Sequence, residues 1–198
     1  DTETRVKLKS DHSWIDTTGI KWIMSTYDEF AIEEALRLRE KNPGSTVTVI
    51  SAGPERVGET IRSALAMGAD EGIQVEIPET ADNFMTAKAL AGGLKKEAKV
   101  DILFAGKEAL DDGSAQVSQL ISEHLQIPCV TVVLGIEYST DKLKCKREIE
   151  GGALEIIEVP LPAVIAAHKG LNEPRYASLP NIMKAKKKTI KVLKMNDV

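Results

Sequence analysis

Two loops in this sequence leave a strand-like run for a helix-like one, and the second is the better candidate for a phosphate. One is Ser51-Ala52-Gly53-Pro54. The other is Gly106-Lys107-Glu108-Ala109-Leu110-Asp111-Asp112-Gly113-Ser114. Each follows a short apolar run and precedes a helix-like stretch, which is where an open parallel sheet offers its ligand crevice. In the second loop Gly113 permits close approach of the backbone, and Ser114 suits the N-cap of a helix. The amides of Ser114, Ala115, Gln116 and Val117 are then expected to be the unpaired donors of a helix start. With the helix dipole they make an anion site that needs no basic side chain. The competing expectation is an ordinary capped helix behind a solvated acidic turn. Asp111-Asp112 has the same two readings, a carboxylate pair for metal or acid–base work or a solvated turn.

Other chemistries lack their residues. There is no GxxxxGK[ST] loop, no GxGxxG, and no Ser-His-Asp set or nucleophile elbow. An enzyme with its own catalytic residues is therefore not expected. His12, His124 and His168 stand apart from one another, and Cys129 and Cys145 have no paired spacing. Neither a metal site nor a disulfide framework is expected, and reducing, intracellular surroundings fit best. The chain has 198 residues, with 26 basic and 30 acidic side chains and a net charge of −4. That excludes a protein that coats nucleic acid. No apolar stretch nears the roughly 20 residues that span a bilayer. The first residue is Asp1 with no signal peptide before it, so a fragment, a processed chain and an incomplete sequence all fit.

The elements that must hold the loops alternate. Thr26 to Lys41 reads as an amphipathic helix, with Thr26 and Glu29 in capping-box spacing and Asn42-Pro43-Gly44 as its stop. Val47 to Ile50 reads as a strand covered on both faces. A turn at Gly53-Pro54 and a helix to about Met67, closed by Gly68, follow. Ile73 to Ile77, Ile102 to Ala105, Cys129 to Leu134 and Ala163 to Ala167 are further strands. Asn83 to Lys95 and Ser114 to Leu125 are helices. This alternation predicts an α/β fold with a doubly wound, mostly parallel sheet. Lys142 to Glu150 and Ala153 to Val159, around Gly151-Gly152, predict a β-hairpin extension.

Residues 1–169 are read as the α/β domain and 170–198 as an appended tail. From Gly170 no helical period is clear until about Ile182, so the tail is expected to be a disordered end or an extended arm docked on something else. Its core is LNEPRYASLPNIMKAKKK, residues 171–188. A loop stiffened by Pro174 and Pro180, presenting Tyr176, Leu179, Ile182 and Met183 beside four lysines, has the make-up of a docking element. A core-packed turn with a solvated lysine run has the same composition.

That tail resembles the signature of the β subunit of electron transfer flavoproteins. DEFAIEEALRLREK, SAGPERVGETIRSALAMGAD, VDILFAGKEALDD, KREIEGG and LPAVIAAHKG agree with it. The resemblance covers nearly the whole chain. It implies a Rossmann-like, adenine-nucleotide-binding fold, paired with an α subunit that holds most of a shared FAD. It also implies electron transfer from flavin dehydrogenases, such as acyl-CoA dehydrogenases, to a quinone reductase. The compartment implied is the cytoplasm in a bacterium and the mitochondrial matrix in a eukaryote. Ala52 and Gly53 then fall in the adenine-side loop, and Gly106 and Asp112, Gly113, Ser114, Ala115, Gln116 and Val117 around the phosphate loop. Ser25 stands where many relatives have Asn, and Tyr27 matches an aromatic position near the flavin ring. Glu148 matches a carboxylate that engages an arginine of the α subunit. Leu179, flanked by Arg175, Tyr176, Pro180, Ile182 and Met183, matches the anchor that docks the dehydrogenase through residues 171–188.

The nucleotide of this subunit stays open between AMP and a second FAD. Ala115 and Val117 replace two side-chain donors common in AMP-type members, as in the bifurcating branch, which also meets NADH. Leu179-Pro180-Asn181-Ile182-Met183 is the AMP-type form. The family also begins with a strand ahead of the position of Asp1, so a gap in the sheet is expected, and its C-terminal arm continues past Val198. A stress-protein-like nucleotide-binding homodimer is the reading from another class; it makes no use of residues 171–188.

Overall fold

The computed structural model describes residues 3–97 and 99–198. Eight strands and five α-helices alternate in the order α1 (Thr26–Lys41), β1 (Thr48–Gly53), α2 (Val57–Met67), β2 (Glu71–Glu76), α3 (Asn83–Glu97), β3 (Ile102–Gly106), α4 (Val117–Leu125), β4 (Cys129–Tyr138), β5 (Lys142–Glu148), β6 (Leu154–Pro160), β7 (Ala163–Ala167), α5 (Leu179–Lys187) and β8 (Ile190–Lys194). The strands form two sheets, ordered β1-β2-β8 and β3-β7-β4-β5-β6. Among the described residues the named strands pair in parallel except β4 with β5 and β5 with β6, the hairpin extension. Among the described residues β1 and β3 each end a sheet, with no ladder joining them.

Helices cover both faces, as a doubly wound sheet requires. On one side Leu36 of α1, Ile61 and Leu65 of α2 and Ala185 of α5 share a cluster. On the other, Ala87, Ala91 and Leu94 of α3 pack with Ile121 of α4, and Ile50 of β1 and Leu103 of β3 both lean on that group. The separated sheets are therefore joined through their helices. β7, Ala163 to Ala167, is buried at every position, as a central parallel strand should be.

Three sequence expectations are corrected. The Thr26–Glu29 capping box does not form: Ser25 is the N-cap and makes no side-chain cap bond. Its hydroxyl instead donates to the Glu108 carbonyl, 3.2 Å away. The helix expected from Ser114 begins at Val117 with Gln116 as N-cap. Finally, the tail is neither a disordered end nor an arm extended away from its own chain. Ser178 caps α5 by accepting from the Asn181 amide, and Pro180 lies in the first turn, where its missing N–H costs nothing. β8 then pairs in parallel along β2.

The hairpin is launched from a bulge. β4 slips register against β7 between Val130 and Val133, and Val132 holds φ +59, a left-handed conformation rare for a β-branched residue. Arg147 of β5 fastens the bulge, donating Nε to the Thr131 carbonyl and Nη2 to the Thr131 hydroxyl. The turn at Glu150–Gly152 is a short 3-10 helix.

Candidate nucleotide site and docking helix

The carboxyl ends of β1 and β3 are crossed by the segment that leads into α1. Trp22 lies under the Arg56 guanidinium, 3.4 Å from its ring centre. Met24 packs on the α1–α2–α5 cluster, and Ser25 reaches Glu108 beyond β3. One segment of chain thus contacts the loops that follow both β1 and β3.

At β3, Asp28 of the first turn of α1 accepts the Gly106 amide on Oδ1 at 2.9 Å. The approach is close enough that a Cβ on Gly106 would stand 2.6 Å from that oxygen and 2.9 Å from the Tyr27 Cβ. Gly106 is there because nothing larger fits. Burial pushes the Asp28 carboxyl above its ordinary range, against the opposing pull of the Gly106 hydrogen bond. Tyr27 stands beside His168, ring centres 5.5 Å apart, with the Lys107 ammonium 5.7 Å from the Tyr27 ring centre.

At β1, Ala52 and Gly53 line a cavity of about 150 Å³ with Arg56, Ile77, Glu79 and Thr86. A second hollow of about 260 Å³, between Trp22 and the start of α2, shares Arg56. Arg56 also pairs with Glu79 at 3.1 Å. The first cavity is smaller than the roughly 300–1,000 Å³ of a complete ligand site.

The loop expected to hold phosphate is rebuilt. Asp112 accepts the Ser114 amide and hydroxyl at 3.0 and 3.1 Å, and Asp111 accepts the Asp112 amide. The two carboxylates therefore brace the turn. Ser114's amide is not the free donor expected of it, because Asp112 holds it. Ala115 takes φ +52. Among the described residues the first-turn amides of α4, those of Val117, Ser118 and Gln119, have no backbone acceptor. They are the donors left for an anion. The buried Ser118 hydroxyl beside them finds no partner at hydrogen-bonding geometry; its neighbour is the Cys129 thiol. Gln116 is exposed at the loop's rim. Both cysteines are free, and no acidic, histidine or cysteine cluster fit for a metal occurs among the described residues.

The tail motif presents its apolar side chains outward. Tyr176 is 100% exposed, Leu179 73% and Met183 52%; Ile182 and Pro180 are exposed as well. Ala185 is the buried contact of α5 with α2. Arg62 Nη1 donates to the carbonyls of Ala185, Lys186 and Lys188, closing the helix end. Arg175, expected among the partner-facing residues, is tied to Glu33 and Glu40 of α1. Glu148 is half-buried at the end of β5, beside Arg147.

Residues 13–198 match the family model described as the electron transfer flavoprotein domain. The chain belongs to the electron transfer flavoprotein family. It is 46% identical over 202 residues to electron transfer flavoprotein subunit beta of Mus musculus, covering all of this chain and 78% of that protein. Against the same subunit of Dictyostelium discoideum the identity is 41%, covering 97% and 76%. Against that of Bacillus subtilis it is 38%, covering 100% and 76%. No helix among the described residues is long and apolar enough to cross a membrane.

Sequence reasoning missed Asp28, Glu33, Trp22 and Arg56. Asp28 and Glu33 look like routine helix-surface acids. Gly106, read as the opening of the phosphate loop, proves to be the close-approach point of Asp28.

Proposed function

We propose that this chain is the β subunit of an electron carrier and not a stand-alone enzyme. It pairs with an α subunit bearing most of a shared FAD, fixes one adenine nucleotide, and docks a flavin dehydrogenase. The observation that carries the docking half is the exposure of Leu179: a core-packed turn would bury it, and here it heads a short helix beside Tyr176 and Met183. Lys184, Lys186 and Lys187 border this surface and would steer an acidic partner, whereas Lys188 is held by the Ala69 and Asp70 carbonyls.

For the nucleotide, the residues present suit AMP. The cavity at Ala52 and Gly53 takes the base. The first-turn amides of α4, with Gln116, Asp112 and Gly113 around them, take the phosphate. When bound, AMP supplies no redox chemistry and serves the fold. Ser25 and Tyr27, at the start of α1, stand where the flavin of the α subunit would approach. Electrons would pass from the dehydrogenase through that flavin to a quinone reductase, in the cytoplasm of a bacterium or the mitochondrial matrix of a eukaryote. Glu148 would meet the α subunit at the hairpin.

A second reading rests on Ala115 and Val117, which offer no side-chain donors to a monophosphate. It places a second FAD here, in a bifurcating complex that meets NADH. Mass spectrometry of the nucleotide released from the purified heterodimer, with a flavin count after denaturation, decides between them. One flavin with AMP supports the first reading and two flavins the second. Release of neither, or purification as a flavin-free homodimer, overturns both.

A further inference from the structure

The surface that presents Leu179 rests on a charged cluster buried against α1. Glu33 is 3% exposed, yet it lies in the second turn of an otherwise amphipathic helix. Its Oε1 accepts from Arg37 Nε at 2.8 Å and from Arg175 Nη2 at 3.0 Å. Its Oε2 accepts from Arg175 Nε at 2.8 Å and from the Arg175 amide at 3.1 Å. Arg175 donates its remaining nitrogen, Nη1, to Glu40 at 2.6 Å, and Arg37 Nη2 reaches back to the Glu173 carbonyl at 3.2 Å. Two arginines thus face two glutamates, so the buried carboxylate is charge-balanced and fully hydrogen-bonded, the condition for keeping such a group folded.

Adjoining bonds extend the clamp. Asn172 Nδ2 donates to the Phe30 carbonyl and to Glu34, and the other oxygen of Glu34 accepts from the Tyr138 hydroxyl at 2.8 Å. Residues 172–175 are therefore pinned along α1, while Tyr176 is wholly exposed and α5 starts at Leu179. An apolar anchor on a short helix docks well only if it is held in place before the encounter, since ordering it on binding subtracts from affinity.

We infer that Glu33 is a positioning residue for docking: through Arg175 it fixes the segment that aims Leu179 and Tyr176 at the electron-donating partner. This rests on the docking role proposed above. It goes beyond that role in making an α1 carboxylate, remote from the contact surface, a determinant of recognition.

The test uses the complete flavin-containing heterodimer, reduced by an acyl-CoA dehydrogenase that reduces the wild type. Glu33→Gln, Leu179→Ala and the double variant are compared, with flavin content checked in each. Glu33→Gln should raise the apparent KM for the heterodimer about fivefold or more, with kcat and flavin content kept, and speed amide exchange at residues 175–179. On the Leu179→Ala background the same change should add less than about twofold, because residues acting as one unit are not additive. Independent multiplying effects, or a lowered kcat at unchanged KM, would overturn the inference. Should Leu179→Ala itself leave KM unchanged, the docking role falls and this inference with it. If Glu33→Gln loses flavin or fails to fold, Glu40→Gln decides. It releases only Arg175 Nη1 from an exposed site, and a KM rise of the same kind but smaller supports the clamp, whereas none refutes it.

Discussion

Asp28 and Glu33 are acidic residues of the same helix, and their surroundings push them in opposite directions. Asp28 has one amide donor and no cation, so burial prevails and its carboxyl is raised. For Glu33 burial also works to raise it, but the hydrogen bonds of Arg175 and Arg37 outweigh that and leave it lowered. A carboxyl raised in the folded state costs stability as pH climbs through and above its unfolded range; a lowered one contributes stability there and loses it on acidification. Asp28→Asn, which keeps an acceptor for Gly106, should therefore equal or exceed the wild type in denaturant unfolding at pH 7. That advantage should vanish below about pH 4, the unfolded range of Asp. Glu33→Gln should do the reverse. A deficit of about 1–3 kcal/mol at pH 7 should shrink as pH falls below the ordinary Glu range. This deficit is smaller than for a fully buried pair, because both arginines are a third or more exposed. Parallel pH profiles for the two variants would contradict this account.

At the scale of elements, α5 separates stability from recognition within two adjacent residues. Ser178 accepts the Asn181 amide at 3.4 Å, a long cap bond, so Ser178→Ala should lower stability by about 0.5–1 kcal/mol and speed exchange across α5. Leu179, most of it in solvent, should tolerate Ala within about 0.5 kcal/mol while the apparent KM for reduction by the dehydrogenase rises. Unfolding curves alongside reduction kinetics check both, and a large loss of stability in Leu179→Ala would place that side chain in the core. The same element shows where the sequence was legible. α1 was read at its bounds, and the strand–helix alternation was plain, because a 3.6-residue period and β-branched runs are local signals. α5 and β8 were not, since Pro174 and Pro180 read as breakers although proline suits a first helical turn, and β8 is defined by its partner β2. The start of α4 was misplaced because the Asp112 carboxylate takes the Ser114 amide, a competition that residue types alone do not reveal. In the candidate site the glycine-bearing loops were legible. The Glu33 cluster was not, since it joins α1 to a segment well over a hundred residues later.

On the scale of the whole molecule, two sheets meet without a ladder between β1 and β3 among the described residues, and helices α1, α3 and α4 hold them together. The proposed nucleotide would touch both, with its base in the cavity at Ala52 and Gly53 beyond β1, and its phosphate at the first turn of α4 beyond β3. A ligand that bridges the two sheets stabilises them jointly, by about 2.7 kcal/mol when free ligand stands at a hundred times its Kd. Nucleotide-stripped heterodimer resupplied with AMP should therefore gain stability that grows with the logarithm of AMP concentration. Amide exchange should slow at the ends of β1 and β3 together and at Val117 to Gln119. Protection confined to one sheet would mean that the two loops do not share a ligand. An unmoved melting midpoint at saturating AMP would remove AMP from this site altogether and leave the flavin reading to account for the free amides of α4.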